Sequence, residues 1–360
     1  MIRNTLVFSN FGKRLVNNNY NNINKIKNAI YINSLNNNSK YFTTSNIKDS
    51  VDKKAEEITK KENVASPSSQ SIEISDLAGN ADYNFVFERA KKFDKENYLC
   101  SLLISDPVAR RVAYALRTFN VETVANDFSP KSEKISKIRL QFWKDAINNI
   151  YNGKVYDQPL TRVLAQVIKE KKLSKTWFIR LLNRREKDVQ SVQIKDMEDL
   201  EQYADDIHTS LLLLTLEGLG IKGNHDAEHC ASHLGKAVGI MVLIRGTIFH
   251  LGNRKTYIPV SLTTKYGINT EALYRGDAQF DKMQNAIYEM ASCAKLHLDK
   301  AKAFKNLPEN AHQAFYSAAI VEDFLERLRK VDFNIFEFHN TNQHPFLLFK
   351  LYKNKLFKQF

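Results

Sequence analysis

Leu243-Ile244-Arg245-Gly246-Thr247-Ile248-Phe249-His250-Leu251-Gly252-Asn253-Arg254-Lys255-Thr256-Tyr257-Ile258-Pro259 reads as an apolar helix end closed by an arginine, then a basic loop and an aromatic-aliphatic-proline stop. Gly246 and His250 lie four residues apart and so share one helical face. A hard cation such as Mg²⁺ is held by carboxylate oxygens converging on one cavity. This face offers none, because glycine has no side chain and imidazole suits softer metals. The whole stretch lacks Asp and Glu, so this helix end offers no carboxylate to a metal ion.

Upstream, Leu234-Gly235-Lys236-Ala237-Val238-Gly239-Ile240 belongs to the same helix, predicted over 226–251. Apolar periodicity predicts further helices at about 82–100, 160–171, 175–190, 197–218, 278–304 and 309–330. Asp106-Pro107 has the form of an N-cap followed by proline in the first turn, and Ser129-Pro130 repeats it. Gly153 closes the helix that Ser129 opens, in which Ile135, Ile138, Leu140, Phe142, Trp143, Ala146, Ile147 and Ile150 are read as a core-facing stripe. There is no period-two strand and no internal repeat. With 43% hydrophobic residues but only 12 Gly and 7 Pro in 360 residues, the chain is expected to be all-α, a helical bundle around one large core.

The chain divides by composition. Arg3, Lys13, Arg14, Lys25, Lys27, Lys40 and Lys48 stand among Ile2, Leu6, Val7, Phe11 and Leu15, with no acid in the first 48 residues. That is the make-up of a mitochondrial import peptide, assigned to 1–45 with cleavage near Tyr41 to Ser45. A plain Asn-rich tail is the alternative, given Asn17 to Asn19 and Asn36 to Asn38. Residues 46–82 are too polar to fold and read as a disordered linker, 83–335 as the helical domain, and 336–360 as a basic aromatic tail. From Pro345 onward that tail mixes Phe, Leu and Tyr with Lys and has no acid, which suits either an anionic membrane surface or docking on the helical domain.

The formal charge of +13 falls to +6 once the seven basic residues of the first 48 are set aside, and no nucleic-acid module is present, so no nucleic-acid partner is expected. Cys100, Cys230 and Cys293 are odd in number and widely spaced, which argues against a disulfide framework and suits a reducing compartment such as the matrix. No run approaches the ~20 apolar residues of a membrane span. Peripheral attachment is the closest association with a bilayer that the sequence suggests.

Two clusters invite a metal reading, and neither sustains it. His225, His229 and His233 recur every four residues beside Cys230, but the outer two lie ~12 Å apart along a helix and cannot share an ion. Asp196, Glu198, Asp199 and Glu201 fit capping and first-turn positions that a helix dipole favours, and Asp205 and Asp206 have no second acidic helix to face. No metal and no cofactor is expected.

The stretch first quoted resembles the squalene and phytoene synthases, where an Ile-Leu-Arg-Asp-x-x-x-Asp helix end is followed by a basic loop and Tyr-Leu-Pro. Leu243-Ile244-Arg245 and Tyr257-Ile258-Pro259 keep the frame, and Gly246 and His250 stand at the two aspartates. Ile138 to Trp143 and Leu234 to Ile240 extend the likeness over about residues 85–330. It implies an isoprenoid-synthase-type helical bundle, with a first acidic cluster matching Leu116 to Val124. There Asn120, Thr123 and Val124 replace acids, and Glu122 lies about 160° away from Asn120 around the helix. Arg117, Arg245 and Tyr257 match positions near the diphosphate cavity, either as residual ligand-binding groups or as internal ion pairs and loop pins. An Arg-x-x-x-x-His pattern in place of the second acidic motif, an import-type leader and a basic loop resemble most the non-catalytic subfamily that serves in mitochondrial complex I assembly. That likeness implies a pseudoenzyme on the matrix side of the inner membrane, acting early in biogenesis with complex I subunits or assembly intermediates, and with inner-membrane lipid as a further candidate ligand. An active prenyl-diphosphate transferase with rearranged ligands is the rival.

Overall fold

The computed structural model describes residues 77–124, 130–190, 193–338 and 347–360, within the unit Gln70–Phe360. The import-type leader, all but the end of the linker, and Ser129 lie outside the described residues. The architecture is all-α, and the described residues contain no strand. In chain order the helices are α1 Asn80–Phe93, α2 Lys95–Leu102, α3 Pro107–Thr123, α4 Pro130–Tyr151, α5 Pro159–Lys171, α6 Lys175–Val189 and α7 Met197–Ala204. A π-helical turn, Asp205–Thr209, joins α7 to α8 Ser210–Gly218. There follow α9 His225–Arg245, α10 Thr247–Gly252, α11 Val260–Lys265, α12 Thr270–Tyr274 and α13 Phe280–Ala303. A 3₁₀ turn at Ala311–Phe315 leads to α14 Ala318–Lys330, and α15 Leu347–Leu356 ends the fold.

Local chemistry sets several boundaries. The Asp106 carboxylate accepts from Val108 N at 2.8 Å with Pro107 in the first turn, and Asp196 accepts from Asp199 N at 2.9 Å, the caps their sequences announce. Gly153, at φ +77°, takes the left-handed conformation that ends α4. The predicted helix over 82–100 is two helices broken at Asp94, and the one predicted over 226–251 breaks at Gly246.

The centre of the bundle is α9, which runs along α13 and against α7, the π turn and α14. Its approach to the π turn depends on two glycines one turn apart. A Cβ at Gly235 would sit 2.5 Å from Thr209 N, and one at Gly239 would sit 2.6 Å from Ala204 Cα. Backbone thus meets backbone where any side chain would intrude. On the other side, Phe119 of α3 packs edge-on against Trp143 of α4 (5.5 Å) and Phe178 of α6 (5.4 Å), locking those three helices together.

The stripe on α4 is narrower than the sequence suggests. Ser136, Leu140, Trp143, Ile147 and Ile150 are buried at helical spacing, whereas Ile135, Ile138 and Phe142 are exposed. Ile138 and Leu140 differ by ~200° around the axis, so both cannot face one core. The C-terminal helix does two things at once. Leu347 and Leu351 enter the core, Lys350 pairs with Glu322 and Phe360 packs on Phe315, while Leu348, Phe349, Tyr352, Leu356 and Phe357 stay exposed.

Replacing Gly235 by Ala should cost about 1–3 kcal/mol or more, because the added methyl meets backbone that cannot swing aside. Gly252 in α10 has open space around it, so Gly252→Ala should be neutral or stabilise by up to about 1 kcal/mol. Urea unfolding of the two variants checks both signs.

Candidate functional site

The interior facing the end of α9 draws on several elements. Helix α3 supplies Arg117, 8% exposed, and Asn120, one turn apart. Helix α6 supplies Arg185 and Asp188, α7 supplies Tyr203, the π turn supplies His208, the end of α9 supplies Arg245, α10 supplies His250, and the loop after α10 supplies Lys255 and Tyr257. Arg185 is on the core face because Phe178, Leu181, Leu182, Arg185 and Val189 follow one another at helical spacing and are all buried. An arginine on an apolar stripe needs an acceptor inside.

That acceptor is Asn120. Arg185 Nη2 donates to Asn120 Oδ1 at 2.9 Å, with Tyr203 Oη 3.5 Å from Nη1. A guanidinium therefore contacts Asn120 inside the bundle. Thr123 is buried, with its hydroxyl returned to Asn120 O at 3.0 Å, and Val124 lies just past the helix end. Glu122 points away, as its phase requires, and accepts from Arg89 Nε of α1 at 2.8 Å.

At the end of α9, His250 of α10 folds back over Gly246. A Cβ on Gly246 would meet His250 Nε2 at 2.8 Å and Cδ2 at 3.0 Å, so the missing side chain makes room for the ring. The ring also packs edge-on against Tyr257 at 4.7 Å. Burial lowers His250 to about 4, and burial with Arg185, Arg117 and Arg245 nearby lowers His208 to about 3. Both imidazoles are neutral at physiological pH, so neither adds charge to an interior already rich in arginine.

Arg245 donates to Glu96 of α2 at 2.6 Å, an internal ion pair with both side chains about four-fifths buried. Arg117 and Arg245 both stand near Asp94, whose carboxyl burial nonetheless raises. Asp188 is fully engaged: Tyr257 Oη donates to its two oxygens at 2.7 and 2.8 Å, Lys255 Nζ donates at 2.7 Å, and Tyr203 Oη lies at 3.3 Å. Burial and the adjacent carboxylate push the Tyr257 phenol strongly upward, which keeps it a donor. Cations and donors of the chain thus surround the Asp188 carboxylate.

Sequence reasoning located Arg117, Asn120, Arg245, His250 and Tyr257 in or beside this interior. It missed Arg185, Asp188, Lys255 and Glu96, although the position of Arg185 on an apolar stripe was a readable signal. Asp205 and Asp206 do not face a second acidic helix; both pair with Arg180 of α6, Asp206 at 2.9 Å. His225 and His229 stack on each other at 4.2 Å, and His233 turns instead to His297 of α13.

The squalene/phytoene synthase profile matches residues 90–347. The chain is 78% identical over 330 residues to the Dictyostelium discoideum homolog of NADH dehydrogenase (ubiquinone) complex I, assembly factor 6, covering 91% of this chain and 93% of that protein. It is 38% identical over 270 residues to the Homo sapiens assembly factor 6, covering 75% and 80%. Among solved structures, a dehydrosqualene synthase in complex with ligand has a similar fold, with a TM-score of 0.66 at 22% identity over 77% of this chain and 96% of that one. The squalene synthase HpnC from Alicyclobacillus acidocaldarius has a TM-score of 0.61 at 16% identity over 73% and 98%.

A double-mutant cycle at the second motif tests the packing directly. Gly246→Ala should destabilise by about 1–3 kcal/mol in the native background and by much less once His250 is replaced by Ala. The coupling of about 0.5–3 kcal/mol expected for touching residues is read from denaturant unfolding of the four proteins.

Proposed function

This chain belongs to the squalene/phytoene synthase family, and on that footing we propose that it is an assembly factor for mitochondrial respiratory complex I that does not catalyse prenyl-diphosphate transfer. The observation that carries the reading is the 78% identity to the Dictyostelium assembly factor homolog, spread over nine-tenths of both chains. The interior supports the non-catalytic half of it. Asn120 binds a guanidinium, Gly246 accommodates an imidazole, and Asp188 is saturated by its neighbours.

The proposal extends to location and organisation. Residues 1–45 direct import into mitochondria, 46–82, whose last residues Asn80 to Asp82 already open α1, link the leader to the helical domain at 83–335, and the protein works on the matrix side of the inner membrane with subunits or early intermediates of complex I. Among the described residues no helix is long and apolar enough to cross a membrane. The outer face of α15 supports peripheral attachment, since Phe349, Tyr352 and Phe357 are exposed beside Lys353, Lys355 and Lys358. Arg117, Arg245 and Tyr257 act as supports of the interior in this reading, and a lipid-like anion there would have to displace the Glu96 contact of Arg245.

Disruption of the gene should deplete assembled complex I on native gels while the other respiratory complexes persist, and the full-length chain should restore it. Equal loss of every complex would overturn the proposal.

A further inference from the structure

A second polar cluster shares no residue with this interior. Glu201 of α7 and Cys293 and His297 of α13 bring a carboxylate oxygen, a thiol sulfur and an imidazole nitrogen within 4.8 Å of one another. Cys293 and His297 are four residues apart and so project from one face of α13. From α9, His233 and Lys236 close the group: His233 Nδ1 lies 3.0 Å from His297 Nδ1, and Lys236 Nζ lies 3.2 Å from Glu201 Oε2.

The donor atoms are close enough to share one cation, with His297 facing one oxygen of Glu201 and Cys293 the other. With bonds of about 2.0–2.3 Å, tetrahedral Zn²⁺ sets an oxygen and a nitrogen ligand roughly 3.3 Å apart and an oxygen and a sulfur roughly 3.6 Å apart. Here Glu201 Oε2 is 3.1 Å from His297 Nε2, and Glu201 Oε1 is 3.5 Å from Cys293 Sγ. The outer contact is also of the right kind. A ligating histidine usually donates its other ring N–H to a neighbour, which fixes the tautomer. If His297 Nδ1–H donates to His233, the Nε2 lone pair is directed at the carboxylate and the thiol.

We propose that Glu201, Cys293 and His297 form a binding site for a borderline-soft divalent cation of the zinc type, with a fourth position open to water or to a group from a partner. The donor set of one sulfur, one nitrogen and one carboxylate oxygen selects such an ion over Mg²⁺ or Ca²⁺. Without the metal, Lys236 supplies the positive charge beside Glu201, and its side chain, one-quarter exposed, is long enough to withdraw to solvent. On binding, the Cys293 thiol gives its proton to solvent and a sulfur–metal bond forms. The site would clamp α7 to α13 on the flank of α9.

Titration of the full chain with Co²⁺ tests this. The expected result is one Co²⁺ per chain, a thiolate-to-cobalt charge-transfer band in the near ultraviolet, four-coordinate ligand-field bands in the visible, and displacement by one equivalent of Zn²⁺. Cys293→Ser should abolish the charge-transfer band, whereas Cys100→Ser and Cys230→Ser should leave it. His297→Ala should weaken binding at least about tenfold, and Lys236→Gln, which removes the competing cation without removing a ligand, should tighten it severalfold. A chain that shows no thiolate band, or a band that survives Cys293→Ser, overturns the proposal. So does an affinity that is unchanged or weakened by Lys236→Gln, a result independent of whether the ligand variants fold.

Discussion

The close crossing of α9 over the π turn is the constraint on which the rest of the structure rests. Gly235 and Gly239 let the helix backbone reach Thr209 and Ala204 at distances no side chain permits. That crossing fixes the π turn, and with it His208, against α9, and it sets where Arg245 at the end of α9 emerges towards α2 and α3. A wider crossing would separate Arg245 from Glu96 and leave two charges in an apolar interior without partners, a situation that costs several kcal/mol.

Within that frame, one electrostatic problem is solved differently from the way a prenyl-diphosphate enzyme must solve it. Such an enzyme needs clustered carboxylates whose repulsion is relieved by Mg²⁺ when substrate arrives. Here the relief is internal and permanent. Arg185 is hydrogen-bonded to a neutral amide, Asp188 is held by a lysine and two phenols, and the histidines are uncharged. The chain's own side chains close this network.

How much of this the sequence disclosed depended on the range over which each feature is encoded. Caps at Asp106 and Asp196 are written within three residues, and both were legible. The family frame from Leu243 to Pro259 was legible for the same reason, as was the phase that turns Glu122 away from Asn120. The π turn was not, because Asp205 to Thr209 continue an unbroken helical pattern and only packing against Gly235 and Gly239 reveals the extra residue. On α4, Ile135, Ile138 and Phe142 are apolar but stand off the buried stripe in angular phase, so apolar content alone overstates the core face. The Glu201, Cys293 and His297 cluster draws on two helices 92 residues apart in the chain, with no local spacing to mark it.

The central claim is that the inherited cradle holds itself together and does not turn over prenyl diphosphates. Its most direct test is incubation of the purified protein with labelled farnesyl and geranylgeranyl diphosphate and excess Mg²⁺. The account predicts recovery of unreacted substrate and no Mg²⁺-dependent retention of label on the protein. Condensed or ionised product that requires Mg²⁺ and disappears in Arg245→Ala would contradict it.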